Sequence, residues 1–241
     1  VETSTAPVAA PERPADAHPA SGDARAWGIA SANEPRWPAT VAVLITAALN
    51  FSLGDRYTLG PHWLIPVIEL GIVIPLTVAS PYRHHRESRF QQVAAVAVIA
   101  VVNIANLGSL GYLIHELVYN GKNISGPELL WSSVSIWVTN IIVFALWYWE
   151  LDRGGPDERQ KPWHCAPDFL FPQMTTPGCA ADNWSPGFVD YAYVAFTNAT
   201  AFSPTDTMPL SAWSKALMMV QSVTSLATIT LVAARAVNIL G

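Results

Sequence analysis

Leu129–Trp149 reads LLWSSVSIWVTNIIVFALWYW, a run without one charged side chain. About 20 such residues are needed for a helix to cross the ~30 Å hydrocarbon core of a bilayer, so the run predicts a transmembrane helix. Trp131, Trp147 and Trp149 stand near its ends, where amphipathic rings favour the headgroup layer. Three further apolar stretches precede it: Trp37–Leu53, Pro61–Ala79 and Phe90–Tyr119. The first is a little short, and the third is long enough to tilt or to extend past the membrane.

Between these stretches lie breakers and polar turns: Gly54-Asp55-Arg56, Ser80-Pro81 with Arg83-His84-His85-Arg86, and Asn120-Gly121-Lys122-Asn123. Unpaired backbone in lipid costs several kcal/mol per group, so the spans must be helical and the turns must lie at the surface. A membrane barrel would require alternating segments of about ten residues, and the sequence has none. Composition agrees, with 51% hydrophobic and only 13% charged residues against about 25% charged in soluble domains.

Four segments are expected. Residues 1–36, rich in Pro and charge, form a disordered tail without the apolar core of a secretory leader. Residues 37–150 hold four transmembrane helices, and residues 151–186 form a polar loop rich in Pro and Gly. Within that loop, Phe169-Leu170-Phe171 is expected to dock on the membrane surface or on the bundle. Residues 187–241 contain a semi-polar segment, a Pro-bearing turn and a final apolar helix, Ala212–Leu240. The fold class is therefore an all-α integral membrane bundle of five to six transmembrane helices.

Whether residues 187–203 cross the membrane or re-enter sets the orientation. If they cross, six spans place most of the 13 Lys and Arg residues on the same side as the tail, which the positive-inside rule makes cytoplasmic. If they re-enter, five spans put the termini on opposite sides. Keeping Arg83, Arg86 and Arg89 inside then makes the segment enter from the cytoplasm.

Residues 191–215, YAYVAFTNATAFSPTDTMPLSAWSK, run directly into the last apolar helix. This part of the chain resembles the pore segment of the potassium-channel superfamily, in which a pore helix, a filter, Asp, Pro, an aromatic and a basic residue precede an inner helix. Anchored on Asp206, the match needs no gap, and Pro209, Trp213 and Lys215 take the positions of the family's Pro, aromatic and basic residues. The resemblance covers about the last fifty residues. It implies a filter-like turn at Thr200, Ala201, Phe202, Ser203, Pro204, Thr205 and Asp206, with monovalent ions and a homo-oligomer as partners alongside the lipid bilayer. The sequence departs from the family at the filter core, where Phe202-Ser203-Pro204-Thr205 replaces Val-Gly-Tyr-Gly. Glycines in that core permit the backbone angles that align carbonyls around an ion, so standard potassium selectivity is not expected. More of the chain resembles an uncharacterised family of bacterial multi-pass membrane proteins, which implies a plasma-membrane location and no particular activity.

Polar residues inside apolar helices are costly and usually face protein or water. In the last helix Gln221, Ser225, Thr228 and Arg235 share one face. Such a face either lines a pore or bonds neighbouring helices. Glu69, Asn103, Asn106 and Asn140 form a candidate intramembrane polar site, which would suit a secondary transporter. A non-conducting scaffold that uses the long loop for docking is the third possibility.

Cys165 and Cys179 are the only cysteines, and a cytoplasmic loop would keep them reduced. With His164 and Asp168 they lack paired metal-ligand spacing, so no metal or cofactor is expected. No nucleotide-binding or hydrolase motif occurs, and no catalysis is expected. The net charge of −5, without a dense basic run, gives no footing for nucleic acid.

Overall fold

A computed structural model describes residues 37–53, 61, 63–79, 89–119, 125–159, 166–176, 178, 184–200 and 206–240. The expected tail, the basic patch at 83–86, His164, Cys165, Cys179 and the filter-like residues Ala201 to Thr205 lie outside them.

The described chain is mostly helical. Its elements are α1 (Trp37–Ser52), α2 (Leu64–Ala79), α3 (Arg89–Tyr119), α4 (Gly126–Leu151), α5 (Pro156–Arg159), β1 (Phe169–Leu170), α6 (Pro172–Thr175), α7 (Phe188–Thr200), β2 (Met208–Pro209) and α8 (Ala212–Leu240). The apolar stretches seen in the sequence thus become helices within a few residues of their expected limits. Three of them, α3, α4 and α8, are long and apolar enough to cross a membrane. At 1.5 Å per residue, the 16-residue α1 and α2 reach only about 24 Å, short of a ~30 Å core. The 13-residue α7 reaches about 20 Å.

The central helix, α4, begins where Ser125 accepts a hydrogen bond from the Glu128 N–H, with Pro127 and Glu128 in the first turn. These residues suit a helix start, because Ser satisfies an orphan donor and Glu favours the positive end of the dipole. Its end is equally local in origin. Arg153, Gly154 and Gly155 all have positive φ, at 54°, 81° and 99°, which reverses the chain at once. A Cβ on Gly155 would lie 2.9 Å from the Glu150 carbonyl oxygen, so only glycine fits there.

Two hydrophobic clusters fill the interior at successive depths. The larger unites Val98, Ile99 and Val102 of α3 with Val143 to Trp149 of α4, Tyr191, Ala192, Val194 and Ala195 of α7, and Trp213, Leu217 and Met218 of α8. The smaller joins Leu110, Leu113 and Leu117 of α3 with Leu129 and Ile136 of α4 and Ala227 and Leu231 of α8. Both α3 and α8 therefore run antiparallel to α4.

The loop after α4 packs on the bundle. Phe169 and Phe171 are buried, with the Phe169 ring 5.0 Å from Tyr148, 6.2 Å from Tyr191 and 6.1 Å from Trp213. Of the two docking surfaces open to this segment, it takes the bundle. Strand β1 then pairs antiparallel with β2, Phe169 opposite Pro209 and Leu170 opposite Met208. That pairing holds the start of α8 beside the end of α4.

Candidate functional site

Between the two hydrophobic clusters lies a polar layer. On α4, Thr139 and Asn140 fall between Ile136 of one cluster and Val143 of the other. On α3, Asn106 falls between Val102 and Leu110, and on α8 Gln221, Thr224 and Ser225 fall between Met218 and Ala227. All six residues are buried.

On the α8 side the layer is bonded closely. Asn140 Nδ2 donates to Ser225 Oγ at 2.8 Å and to the Gln221 carbonyl at 3.4 Å. Gln221 Oε1 accepts from the Tyr148 hydroxyl at 2.6 Å and from Asn198 Nδ2 at 2.7 Å, while its Nε2 donates to the Ala195 carbonyl at 2.7 Å. Asn198 also accepts from Ser222 Oγ at 3.0 Å. One glutamine thereby joins α4, α7 and α8. Thr228 is buried and turns its hydroxyl back to the Thr224 carbonyl. Of Arg235 only the helical backbone is described.

The α3 side differs. Asn103 Oδ1, both polar atoms of the Asn106 amide, Thr139 Oγ1 and Asn140 Oδ1 are buried with no hydrogen-bond partner. Ser133 Oγ, Ser135 Oγ and the Trp137 and Trp147 indole nitrogens, elsewhere along α4, are also unpartnered. Buried polar atoms are nearly always satisfied by protein or water, so the orphans of the layer have room for a further partner.

Glu69 has partners of its own. Its carboxylate is fully buried and accepts from Asn50 Nδ2 at 2.9 Å and Thr46 Oγ1 at 3.2 Å. No hydrogen bond among the described residues joins it to Asn103, Asn106 or Asn140. Thr46 and Asn50 went unnoticed in the sequence, although their spacing of four puts two polar groups on one face of an apolar helix.

The position of α7 follows from its partners. Its first turn sits at the end of α4, with Phe188 5.9 Å from Trp149 and the Tyr191 hydroxyl 2.5 Å from Asp152 Oδ2. Its last turn reaches the polar layer through Asn198. After Thr200 the chain is back at the α4 end by Met208, and α8 starts there too. So α7 and α8 run in the same direction, and both begin at the same end of the bundle.

At that end a buried charge network holds the pieces together. Asp152 accepts from Tyr191, from Arg153 Nε at 3.1 Å and from the Asp168 N–H at 2.8 Å, while Asp168 accepts from the Arg153 N–H at 3.0 Å. Arg159 Nη1 donates to the Trp149 and Asp152 carbonyls at 2.7 and 2.9 Å and lies over the Tyr191 ring, satisfying carbonyls that a helix end leaves open. Burial raises the Tyr191 hydroxyl well above the usual tyrosine value, so it stays a donor. Glu150, Asp152 and Arg153 are buried. Asp206, from the filter-like turn, is exposed.

No family model matches the chain, and no curated protein or solved structure is similar to it.

Proposed function

We propose that the chain is a channel-like multi-pass membrane protein in which α7 is a re-entrant helix, passing monovalent ions without standard potassium selectivity. The observation that carries the proposal is the common starting end of α7 and α8, the arrangement expected of a segment that enters and leaves a membrane on one side. Pore loops have that topology, and irregular backbone at membrane depth is tolerated where it lines a wet path. With Arg83, Arg86 and Arg89 cytoplasmic, the entry side is the cytoplasm.

The distribution of polarity supports a lipid environment. Val93, Ile104, Val118, Val223 and Leu226 are exposed by 64% or more, while Glu69, Gln221, Ser225 and Asn106 are almost completely buried. Water would penalise both halves of that arrangement. Lipid penalises neither. In this reading α1, α2, α3, α4 and α8 are five spans, with the short α1 and α2 met by local thinning of the bilayer or by flanking residues.

The test is ion flux in liposomes holding the purified chain. Wild type should pass sodium and potassium with little preference, and Asp206→Ala should change the conductance. No flux under any gradient overturns the proposal. A secondary transporter is the second reading, favoured by the buried Glu69 carboxylate between α1 and α2. It predicts coupled, saturable uptake that Glu69→Gln abolishes.

A further inference from the structure

The polar layer contains more hydrogen-bond acceptors than the chain satisfies. Three amide oxygens, from Asn103, Asn106 and Asn140, are buried without partners, against a single amide nitrogen, Asn106 Nδ2, and the Thr139 hydroxyl, which can accept or donate, is unpartnered too. Leaving such groups unpaired costs about 1–3 kcal/mol each, so the layer favours an occupant that accepts lone pairs. Asn140 is already oriented for one. Its Nδ2 is committed to Ser225 and to the Gln221 carbonyl, and in a planar amide that commitment turns Oδ1 away from α8.

Charge narrows the class of occupant. Among the described residues no acidic or basic side chain is hydrogen-bonded to Asn103, Asn106, Thr139 or Asn140, and the one buried carboxylate on the neighbouring helix, Glu69, is engaged by Thr46 and Asn50. An anion would need several donors, and the layer spares only the Asn106 amide and the Thr139 hydroxyl, beside three amide oxygens that would repel it. A divalent cation would need carboxylates to offset its dehydration. Neutral amide and hydroxyl oxygens suit a monovalent cation, whose hydration shell uncharged oxygens can replace.

We propose that the layer between the two hydrophobic clusters binds one dehydrated sodium or potassium ion through Asn106 Oδ1, Thr139 Oγ1 and Asn140 Oδ1, with Asn103 Oδ1 beside them. The inference deepens the proposed function and rests on it, because it names where a permeating ion sheds its water. It also assigns a role to Ser225, which positions Asn140 by occupying its amide nitrogen.

The experiment uses the full chain in lipid nanodiscs, with radioactive sodium and rubidium as probes and thermal stability as a second readout. Saturable binding is expected. The melting temperature should be higher in sodium or potassium chloride than in the chloride of a large organic cation at equal ionic strength. Thr139→Val, nearly isosteric, should weaken binding several-fold while leaving the melting temperature in the organic cation close to wild type. Asn106→Leu and Asn140→Leu should abolish binding. Equal stability in every cation with no saturable binding means that the layer holds water only, and overturns the site. Binding that survives all three substitutions overturns it as well. Flux without binding would sink the site but leave the channel-like reading standing, whereas binding without flux would do the reverse.

Discussion

The Tyr191 hydroxyl, in the first turn of α7, donates to Asp152 Oδ2 at 2.5 Å just past the end of α4. Neither residue is exposed. Because Asp152 also accepts from Arg153 Nε and the Asp168 N–H, one carboxylate ties together the end of the central helix, the long loop and the start of α7.

Tyr191→Phe removes one donor from a buried carboxylate and should destabilise the protein by about 1.5–3 kcal/mol, the range for hydrogen bonds to charged groups. Asp152→Asn should cost more, because it also removes the negative charge beside the buried Arg153 side chain. Thermal unfolding in detergent or nanodiscs ranks the two. Wild-type stability in both variants would show that the network does not secure this junction.

The reversal after α4 can be tested through its glycines. Gly155 and Gly178 both have positive φ, but a Cβ would meet the Glu150 carbonyl at 2.9 Å only at Gly155 and open space at Gly178. Ala at either position meets the left-handed penalty of about 1–2 kcal/mol. Gly155→Ala should therefore be the more destabilising substitution, and equal losses would contradict the close approach.

Gln221→Leu keeps roughly the side-chain volume but removes the acceptor of the Tyr148 hydroxyl, a donor to the Ala195 carbonyl and one of the two acceptors of Asn198 Nδ2, which keeps the Met218 carbonyl. Interhelical hydrogen bonds in membranes average about 0.6 kcal/mol, so the global loss should be modest. The local loss should not be. Hydrogen exchange ought to rise along α7 and stay unchanged along α3, which shares none of these bonds.

Asp190 supplies a pH dependence. Burial raises its carboxyl above the ordinary value, against the opposing Gly187 N–H at 2.8 Å. A raised carboxyl holds its proton more readily folded than unfolded, so its stabilising contribution is complete below about pH 4, the unfolded-state value, and is lost as pH rises through the folded value. Asp190→Asn keeps an acceptor for Gly187 and removes the charge. The melting temperature of wild type should therefore fall relative to the variant as pH rises from about 4 towards neutrality; a constant difference would argue against the shift.

How much of this was legible in the sequence depended on range. The ends of α3, α4 and α8 follow from hydropathy and turn residues, both local properties, and they were found within a few positions. The docking of Phe169 and Phe171 was narrowed to two surfaces, because apolar content alone does not distinguish a lipid surface from a protein one. The charge network was not legible, since Asp152, Arg159, Asp168 and Tyr191 are brought together only by the fold of the loop. Similarly, Gln221, Ser225 and Asn140 were singled out as polar residues in apolar helices, while their partners Tyr148 and Asn198 lie on other helices. Tyr191, Ala195 and Asn198, at spacings of four and three, did mark one face of α7, but nothing in the chain said which helix that face would meet.

The direction of α7 gives the most discriminating prediction. Val189 at its start and Met208 beyond its return are both exposed, and both lie at the α4 end of the bundle. With Cys165→Ser and Cys179→Ser as background, Val189→Cys and Met208→Cys should react with an impermeant thiol reagent from the same side of the membrane. Ser52→Cys, at the opposite end of the bundle beside Trp131, should react from the other side. A helix that crossed the membrane would instead expose Val189 and Met208 on opposite sides, and that pattern would remove the re-entrant topology together with the channel-like function built on it.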